Sequence, residues 1–218
     1  GRVMEDLLGA ARGAYDITLF NAEPRGNYNR IMLSPVLSGE KTYEEIVTHS
    51  DDWYAERGIT CRFGEHVVRI DREMKVVEGE NGHVPFDKLV IATGSAPFII
   101  PVPGHDLPGV VAFRDLEDTT AMTNASGTPG GRAVVIGGGL LGLEAAAGLA
   151  ERGMNVTVVH LMPTLMERQL DAAAGHLLRQ AVEARGIRVL TRANTRAILG
   201  ANKVEAVELD DDTRLPAD

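Results

Sequence analysis

Apolar residues recur along this chain with two different periods. Val3, Leu7, Leu8 and Ala11, with Glu5, Asp6 and Arg12 between them, make one face of a short helix that Gly13 stops. The run Ile17-Thr18-Leu19-Phe20 then reads as a strand ending in Asn21-Ala22-Glu23-Pro24. A polar loop follows, and a helical patch is expected from Tyr43 to Arg57, ended by Gly58. Further strands are expected at Val67–Ile70, Lys75–Val77 and Leu89–Ala92, with a hairpin turn at Asn81-Gly82. Pro97 to Pro108 has no period and four prolines, which predicts a linker or crossing loop.

The second half repeats this plan. Ala133-Val134-Val135-Ile136 is a short apolar strand leading into Gly137-Gly138-Gly139-Leu140-Leu141-Gly142. A helix over Leu143–Arg152 ends at Gly153, and Val156–Val159 forms the next strand. A second amphipathic helix is expected from Asp171 to Arg185, with Leu177, Leu178, Ala181 and Val182 inward. Strand Ile187–Leu190 and a hairpin through Gly200-Ala201-Asn202 into Val204–Leu209 complete it. Strands alternating with helices predict an α/β fold: two Rossmann-like, doubly wound parallel-sheet domains, at residues 1–114 and 115–218.

The repeat also predicts what each copy lacks. Helix, glycine and strand (Gly13, then Ile17-Thr18) match helix, glycine and strand (Gly153, then Val156-Thr157). Val84-Pro85-Phe86-Asp87 matches Leu215-Pro216-Ala217-Asp218, but only the first continues, into Leu89–Thr93. The second helix follows a strand and glycine loop, whereas only Gly1 precedes the first. The expectation is a fragment: a first domain without its first strand and glycine loop, and a second without its last strand.

Composition removes several function classes. With 22 Lys+Arg against 31 Asp+Glu among 218 residues, the net charge of −9 argues against binding a nucleic-acid backbone. One cysteine, Cys61, excludes a disulfide framework, an internal CxxC pair and a cysteine-rich metal site, and a buried inert thiol is its simplest reading. The histidines show no metal-ligand spacing, so no metal site is expected, and Asp210-Asp211-Asp212 lacks the spacing of a calcium loop. No signal-peptide pattern or long apolar run is present; the chain is expected to be soluble and cytoplasmic, without a membrane partner.

The strongest chemical signal is Gly137-x-Gly139-x-x-Gly142, placed after a strand and opening a helix. The first glycine permits the tight turn, the second lets backbone approach a pyrophosphate, and the third lets helix and strand pack closely. A nicotinamide coenzyme would then place its phosphates at the helix N-terminus, where N–H groups are free. The ribose position is less regular, since the expected acid at the end of the second strand is His160. His160 can donate to a ribose oxygen or a 2′-phosphate, or stand as a partly exposed loop histidine. No arginine follows before Arg168, which leans toward NADH and leaves NADPH open.

Asn21-Ala22-Glu23-Pro24-Arg25-Gly26-Asn27-Tyr28-Asn29-Arg30-Ile31-Met32-Leu33-Ser34-Pro35 resembles the FAD-contacting loop of the large subunits of assimilatory NAD(P)H nitrite reductases. Leu165-Met166-Glu167-Arg168-Gln169-Leu170-Asp171 is similar to that family too. The wider group is the two-dinucleotide-domain flavoprotein reductases, which includes ferredoxin and rubredoxin reductases. The resemblance implies an FAD domain followed by an NAD(P)H domain. It implies that Glu23 holds the adenosine ribose of FAD, Arg30 its pyrophosphate, Val67 the adenine by backbone, and Thr93-Gly94 the phosphate end of the flavin. Gly137, Gly139 and Gly142 would hold the coenzyme pyrophosphate, and Glu144 would face the nicotinamide as the catalytic residue.

It further implies an electron-input module passing hydride from NAD(P)H to FAD. Onward transfer would reach a sirohaem and 4Fe-4S centre of the same full-length polypeptide, outside this chain, or a small redox protein. Oligomers are possible. Two departures stand out. Ferredoxin-reductase-like members carry a lysine at the position of Pro35, so Glu144 lacks that partner, and the first copy has no glycine fingerprint. Two rivals remain at this stage: a reductase serving ferredoxin or rubredoxin, and a Rossmann pair that binds nucleotide without catalysis.

Overall fold

The computed structural model describes residues 1–128 and 130–218. Along the chain run α1 (Arg2–Ala10), β1 (Thr18–Asn21), α2 (Leu33–Ser38), α3 (Asp51–Ala55) and β2 (Thr60–Phe63). Next come β3 (Val67–Asp71), β4 (Val76–Gly79), β5 (Gly82–Pro85), α4 (Leu116–Ala125), β6 (Arg132–Ile136) and α5 (Leu140–Glu151). The chain ends with β7 (Asn155–His160), α6 (Ala172–Glu183), β8 (Arg188–Thr191), β9 (Thr195–Leu199), β10 (Ala206–Leu209) and β11 (Arg214–Pro216). The α/β class is as expected, with parallel sheets joined by two antiparallel meanders.

One compact unit comprises residues 1–29 and 43–95. Its β1 and β2 pair in parallel, from Thr18 opposite Thr60 to Asn21 opposite Phe63. Helix α1 lays Met4 against Tyr54 and Ile59, with Leu8, Leu19, Trp53 and Phe63 around them. Cys61 packs at the edge of this cluster, and burial pushes its thiol up, away from the reactive thiolate. Strands β3, β4 and β5 form the expected hairpin meander, with Gly82 at φ 134° pairing back to Gly79.

Two expectations fail in this unit. The helical patch from Tyr43 to Arg57 is broken: a 3-10 turn covers Glu44–Ile46, Val47 is extended, and only α3 is helical. Bonding to Tyr28, and of Asn29 N–H to the Ile46 carbonyl, pulls this stretch out as a bridge, and Ser50 then caps α3 at Trp53. The second failure is Leu89–Ala92, which forms no strand among the described residues; Val90 and Ile91 are 64% and 67% exposed. Apolar sequence gives a strand only where a neighbour offers a matching ladder, and among the described residues β1 and β2 pair only with each other.

The other unit comprises residues 30–42 and 96–218, so the division falls between Ser95 and Ala96 rather than after Arg114. Its parallel sheet has the order β6-β7-β8, with Val135 opposite Val158 and Val158 opposite Val189. At the centre of this sheet β7 buries Val156, Val158 and Val159. Core packing adds Ala145, Ala146 and Leu149 from α5, Ile187, Leu165 and Leu37. The 97–108 segment has no helix or strand but is tied to the second meander, its Pro103 and Pro108 carbonyls accepting from Ile198 and Val204.

Helix α2 replaces an expected loop. Six residues are too few for a visible period, yet Leu33 and Leu37 are buried and Gly39 closes the helix in a left-handed conformation. Pro35 is tolerated because it lies in the first turn. Gly148 leaves room for α2 to rest on α5, since a Cβ there would lie 2.9 Å from Leu37 Cγ. The Arg152 guanidinium then donates to the Leu37 and Val36 carbonyls at the α2 C-terminus. On α6 the inward face is Gly175, Leu178 and Val182; Leu177, 65% exposed, and Ala181 face solvent, contrary to expectation. Helix α4 also begins with an Asp115/Asp118 capping box.

Candidate functional site

The glycine loop sits between the end of β6 and the start of α5. Gly137 has φ 120°, which a side chain would strain, and its N–H donates to the Val159 carbonyl at 2.8 Å. A Cβ on Gly142 would run into the Gly137 carbonyl oxygen, so the third glycine is needed for the turn itself. Gly139 differs: nothing lies within 4 Å of the position its Cβ would take. It is the N-cap of α5 with no side chain capping the helix, and Leu140 and Leu141 beside it are exposed. An open space over a glycine at an uncapped helix start fits a diphosphate, which would accept from the orphan N–H groups.

Gly138, between the first two motif glycines, is closed off. A Cβ there would lie 2.5 Å from Leu165 Cδ2 and 2.8 Å from His160 Cγ. Its N–H donates to His160 Nδ1 at 3.1 Å, and its carbonyl accepts from Met166 N–H at 3.0 Å. His160 is 8% exposed, and its Nε2 lies 3.1 Å from both the Thr164 carbonyl and Glu167 Oε2. Both ring nitrogens are therefore engaged within the chain. The ribose role expected for His160 finds no free nitrogen here; the strand-end side chain turns inward to the loop instead.

Glu144 follows on the second turn of α5, half-buried. Its Oε2 accepts from the Ser34 hydroxyl at 2.7 Å, a contact the α2–α5 packing creates and the sequence did not announce. Arg30 lies in this same unit, exposed, with its guanidinium donating to the Arg114 carbonyl at 3.1 Å.

The other predicted residues belong to the first unit. Glu23 lies just beyond β1, half-buried, and accepts from the Tyr28 hydroxyl at 2.7 Å. Tyr28 packs edge-on to Tyr43, with their ring centroids 6.1 Å apart, and Arg25 lies over Tyr43. Val67 opens β3 opposite Gly79 at a bulge. Thr93 and Gly94 are exposed and outside any strand, Gly94 with φ 70°. Asn27 was missed: its Nδ2 is buried without a hydrogen-bond partner and would lie 2.9 Å from a Cβ on Gly1, the uncapped N-cap of α1. An unpaired amide donor beside a bare helix start fits a phosphate-bearing ligand such as FAD.

Among the described residues no group of three or more His, Cys, Asp and Glu side chains is arranged to hold a metal ion. Nor is any helix there long and apolar enough to cross a membrane.

The sequence model of the pyridine nucleotide-disulphide oxidoreductases matches residues 5–218. The chain is 47% identical to a nitrite reductase [NAD(P)H] of Bacillus subtilis, covering 100% of this chain and 27% of that protein. It is 42% identical to the assimilatory nitrate reductase electron transfer subunit of the same organism, covering 100% of this chain and 28% of the subunit. A crystal structure of a ferredoxin reductase from Rhodopseudomonas palustris superposes with a TM-score of 0.88 at 27% identity, over 97% of this chain and 52% of that one. The chain thus spans little more than a quarter of the length of these two Bacillus relatives.

Proposed function

Because the chain belongs to the pyridine nucleotide-disulphide oxidoreductase family, whose members are FAD-dependent NAD(P)H oxidoreductases, we propose that it is the electron-input part of an NAD(P)H nitrite reductase. With both cofactors bound, the chain would hold NAD(P)H and FAD for hydride transfer between them, with onward delivery to a sirohaem and iron–sulfur centre outside this chain. The unit of residues 1–29 and 43–95 is the core of the FAD part, and the unit of residues 30–42 and 96–218 carries the NAD(P)H part. The observation that carries this reading is 47% identity to a nitrite reductase across the whole chain, with a glycine loop open at Gly139. The cytoplasm, where NAD(P)H is available, is the proposed setting.

FAD, when bound, supplies the change from two-electron acceptance to one-electron release. The protein's own part is placement. Glu23 accepts from ribose hydroxyls, and Asn27 and Arg30 donate to phosphate oxygens as a neutral and a charged donor. Val67 offers its backbone, and Thr93 and Gly94 lie along the flavin's phosphate end. Gly137, Gly139 and Gly142 hold the coenzyme diphosphate on the α5 N-terminus. Glu144, steadied by Ser34, sets where the nicotinamide lies.

A second reading, a reductase serving a small redox protein, is favoured by the structural likeness to putidaredoxin reductase in its putidaredoxin complex, at TM-score 0.86 and 29% identity. The test has two parts. The purified protein, supplied with FAD, should show a flavin spectrum that NADH bleaches. The full-length protein should then reduce nitrite, where the second reading requires reduction of a ferredoxin or rubredoxin. Coenzyme binding with no flavin spectrum and no electron transfer to a dye would replace both with a non-catalytic nucleotide binder.

A further inference from the structure

The side of the glycine loop that faces away from the phosphates carries a separate device. Gly138 is gripped at both backbone groups by one short segment: its N–H by His160 Nδ1 at 3.1 Å, and its carbonyl by Met166 N–H at 3.0 Å. Leu165, fully buried, and the His160 ring fill the space a side chain would need. Met166 sits at φ 51°, a left-handed conformation that turns its N–H back to the loop. On its far side the imidazole meets two acceptors, the Thr164 carbonyl and Glu167 Oε2, each 3.1 Å from Nε2.

These contacts fix the tautomer. Nε2 faces only acceptors and must carry the proton; Nδ1 faces a donor and must be bare. We propose that His160 is a positioning residue for the dinucleotide loop: its neutral Nε2–H tautomer, oriented by Glu167, clamps Gly138 and so sets the N–H groups of Gly139 to Gly142 toward the coenzyme diphosphate. The proposal rests on the NAD(P)H reading above. A protonated imidazole has N–H at both positions, which brings a donor against the Gly138 N–H and opens the clamp.

Among the described residues, Glu167 is the charged group paired with this ring, and Arg168 acts on Glu167 in turn. On β8 the register neighbour is Thr191, whose hydroxyl accepts from Arg179 at 3.3 Å. On α6 the ring of His176 is engaged with Gln180. The Glu167 carboxyl is held below its ordinary value, first by its own backbone N–H and then by His160, so Glu167 stays an acceptor across the neutral range.

Three variants of the chain and one spectrum decide the matter, with NADH as the probe in fluorescence titrations at pH 8. His160→Asn keeps an acceptor near the Nδ1 position and should bind within about threefold of native. His160→Leu has no acceptor and should bind about tenfold more weakly. Glu167→Gln should bind within about threefold of native, because its amide oxygen still accepts from Nε2. His160→Asn binding as weakly as His160→Leu, or native affinity in His160→Leu, overturns the proposal. Nitrogen-15 spectra of the unliganded chain must show a bare Nδ1 and protonated Nε2 on His160 at pH 8; the opposite tautomer overturns it whether or not NADH binds. If NADH does not bind, the functional reading falls, and the imidazole spectrum alone still decides the clamp.

Discussion

The Ser34 hydroxyl donates to Glu144 Oε2 at 2.7 Å, joining residues 110 positions apart. Ser34 stands in the first turn of α2 and Glu144 in the second turn of α5, and the two helices meet where Gly148 admits Leu37. A fully buried leucine contributes about 1.5–3 kcal/mol, so the contact that brings the two polar groups together is set mainly by apolar packing. With proline at position 35, this serine is the donor that α2 offers to the carboxylate.

Ser34→Ala should therefore loosen Glu144 without unfolding the unit. Removing a hydrogen bond to a charged acceptor costs about 1.5–3 kcal/mol when buried, and the lower end applies at this half-buried pair. Thermal denaturation should show a small loss of stability, and NADH titration a loss of affinity of about threefold to tenfold. Native values in both measurements would show that the contact steadies nothing.

Glu144→Gln is expected to change coenzyme affinity more than the pH dependence of the reaction. Hydride transfer itself needs no proton donor on the coenzyme side, and Gln keeps a group able to accept from Ser34. Stopped-flow reduction of flavin in the full-length protein, followed against pH, measures this. Disappearance of one limb of the profile in the variant would assign a titrating role to Glu144.

Two glycines of the same motif should separate stability from binding. Gly139→Val puts a side chain into open space, so the fold should survive while NADH binding weakens by at least about tenfold. Gly142→Ala drives a methyl group into the Gly137 carbonyl and should cost about 1–3 kcal/mol of stability as well as binding. Urea denaturation together with NADH titration distinguishes them; equal destabilisation by both variants would contradict the open cradle.

Helical glycines offer a further contrast. Gly9 in α1 has nothing within 4 Å of its would-be Cβ, so Gly9→Ala should stabilise by about 0.5–1 kcal/mol through helix propensity. Gly148→Ala meets the fully buried Leu37 at 2.9 Å, and overpacking should outweigh the propensity gain. Opposite signs are expected in urea midpoints, and a stabilised Gly148→Ala would show that α2 can move aside.

Glu208, on β10, lies between Arg196 and Arg214 and accepts from both. Hydrogen bonds first from Arg214 and then from Arg196 hold its carboxyl below the ordinary value. A carboxyl lowered on folding contributes stability above its unfolded pKa, and that contribution is lost as pH falls through the lower folded value. Glu208→Gln should therefore be less stable than native at pH 7, with the gap closing toward pH 3. A gap that persists at pH 3 would assign the effect to packing rather than charge.

Much of the fold was legible because local periodicity carries it. The strand–GGGLLG–helix run predicts β6, loop and α5, and the repeat predicts that each half holds a meander ending in a proline strand. The amphipathic period of α6 places Leu178 and Val182 inward as expected, but the stripe runs through Gly175, a position that hydrophobicity does not mark, and leaves Leu177 and Ala181 in solvent. The Asp115/Asp118 box before α4 is likewise a local capping signal, written within four residues of sequence.

The sequence by itself determined the α/β class, the dinucleotide motif and the family, because turn chemistry and hydrophobic period act over a few residues and are written in order along the chain. Only the tertiary structure decided which polar groups meet. Leu89–Ala92 has strand composition and no partner ladder among the described residues; His160 has the position of a ribose ligand and turns to Gly138; Ser34 finds Glu144 across two helices. Each outcome depends on the close packing of distant elements, and a hydrogen bond that reaches across a few ångströms cannot be read from spacing in sequence.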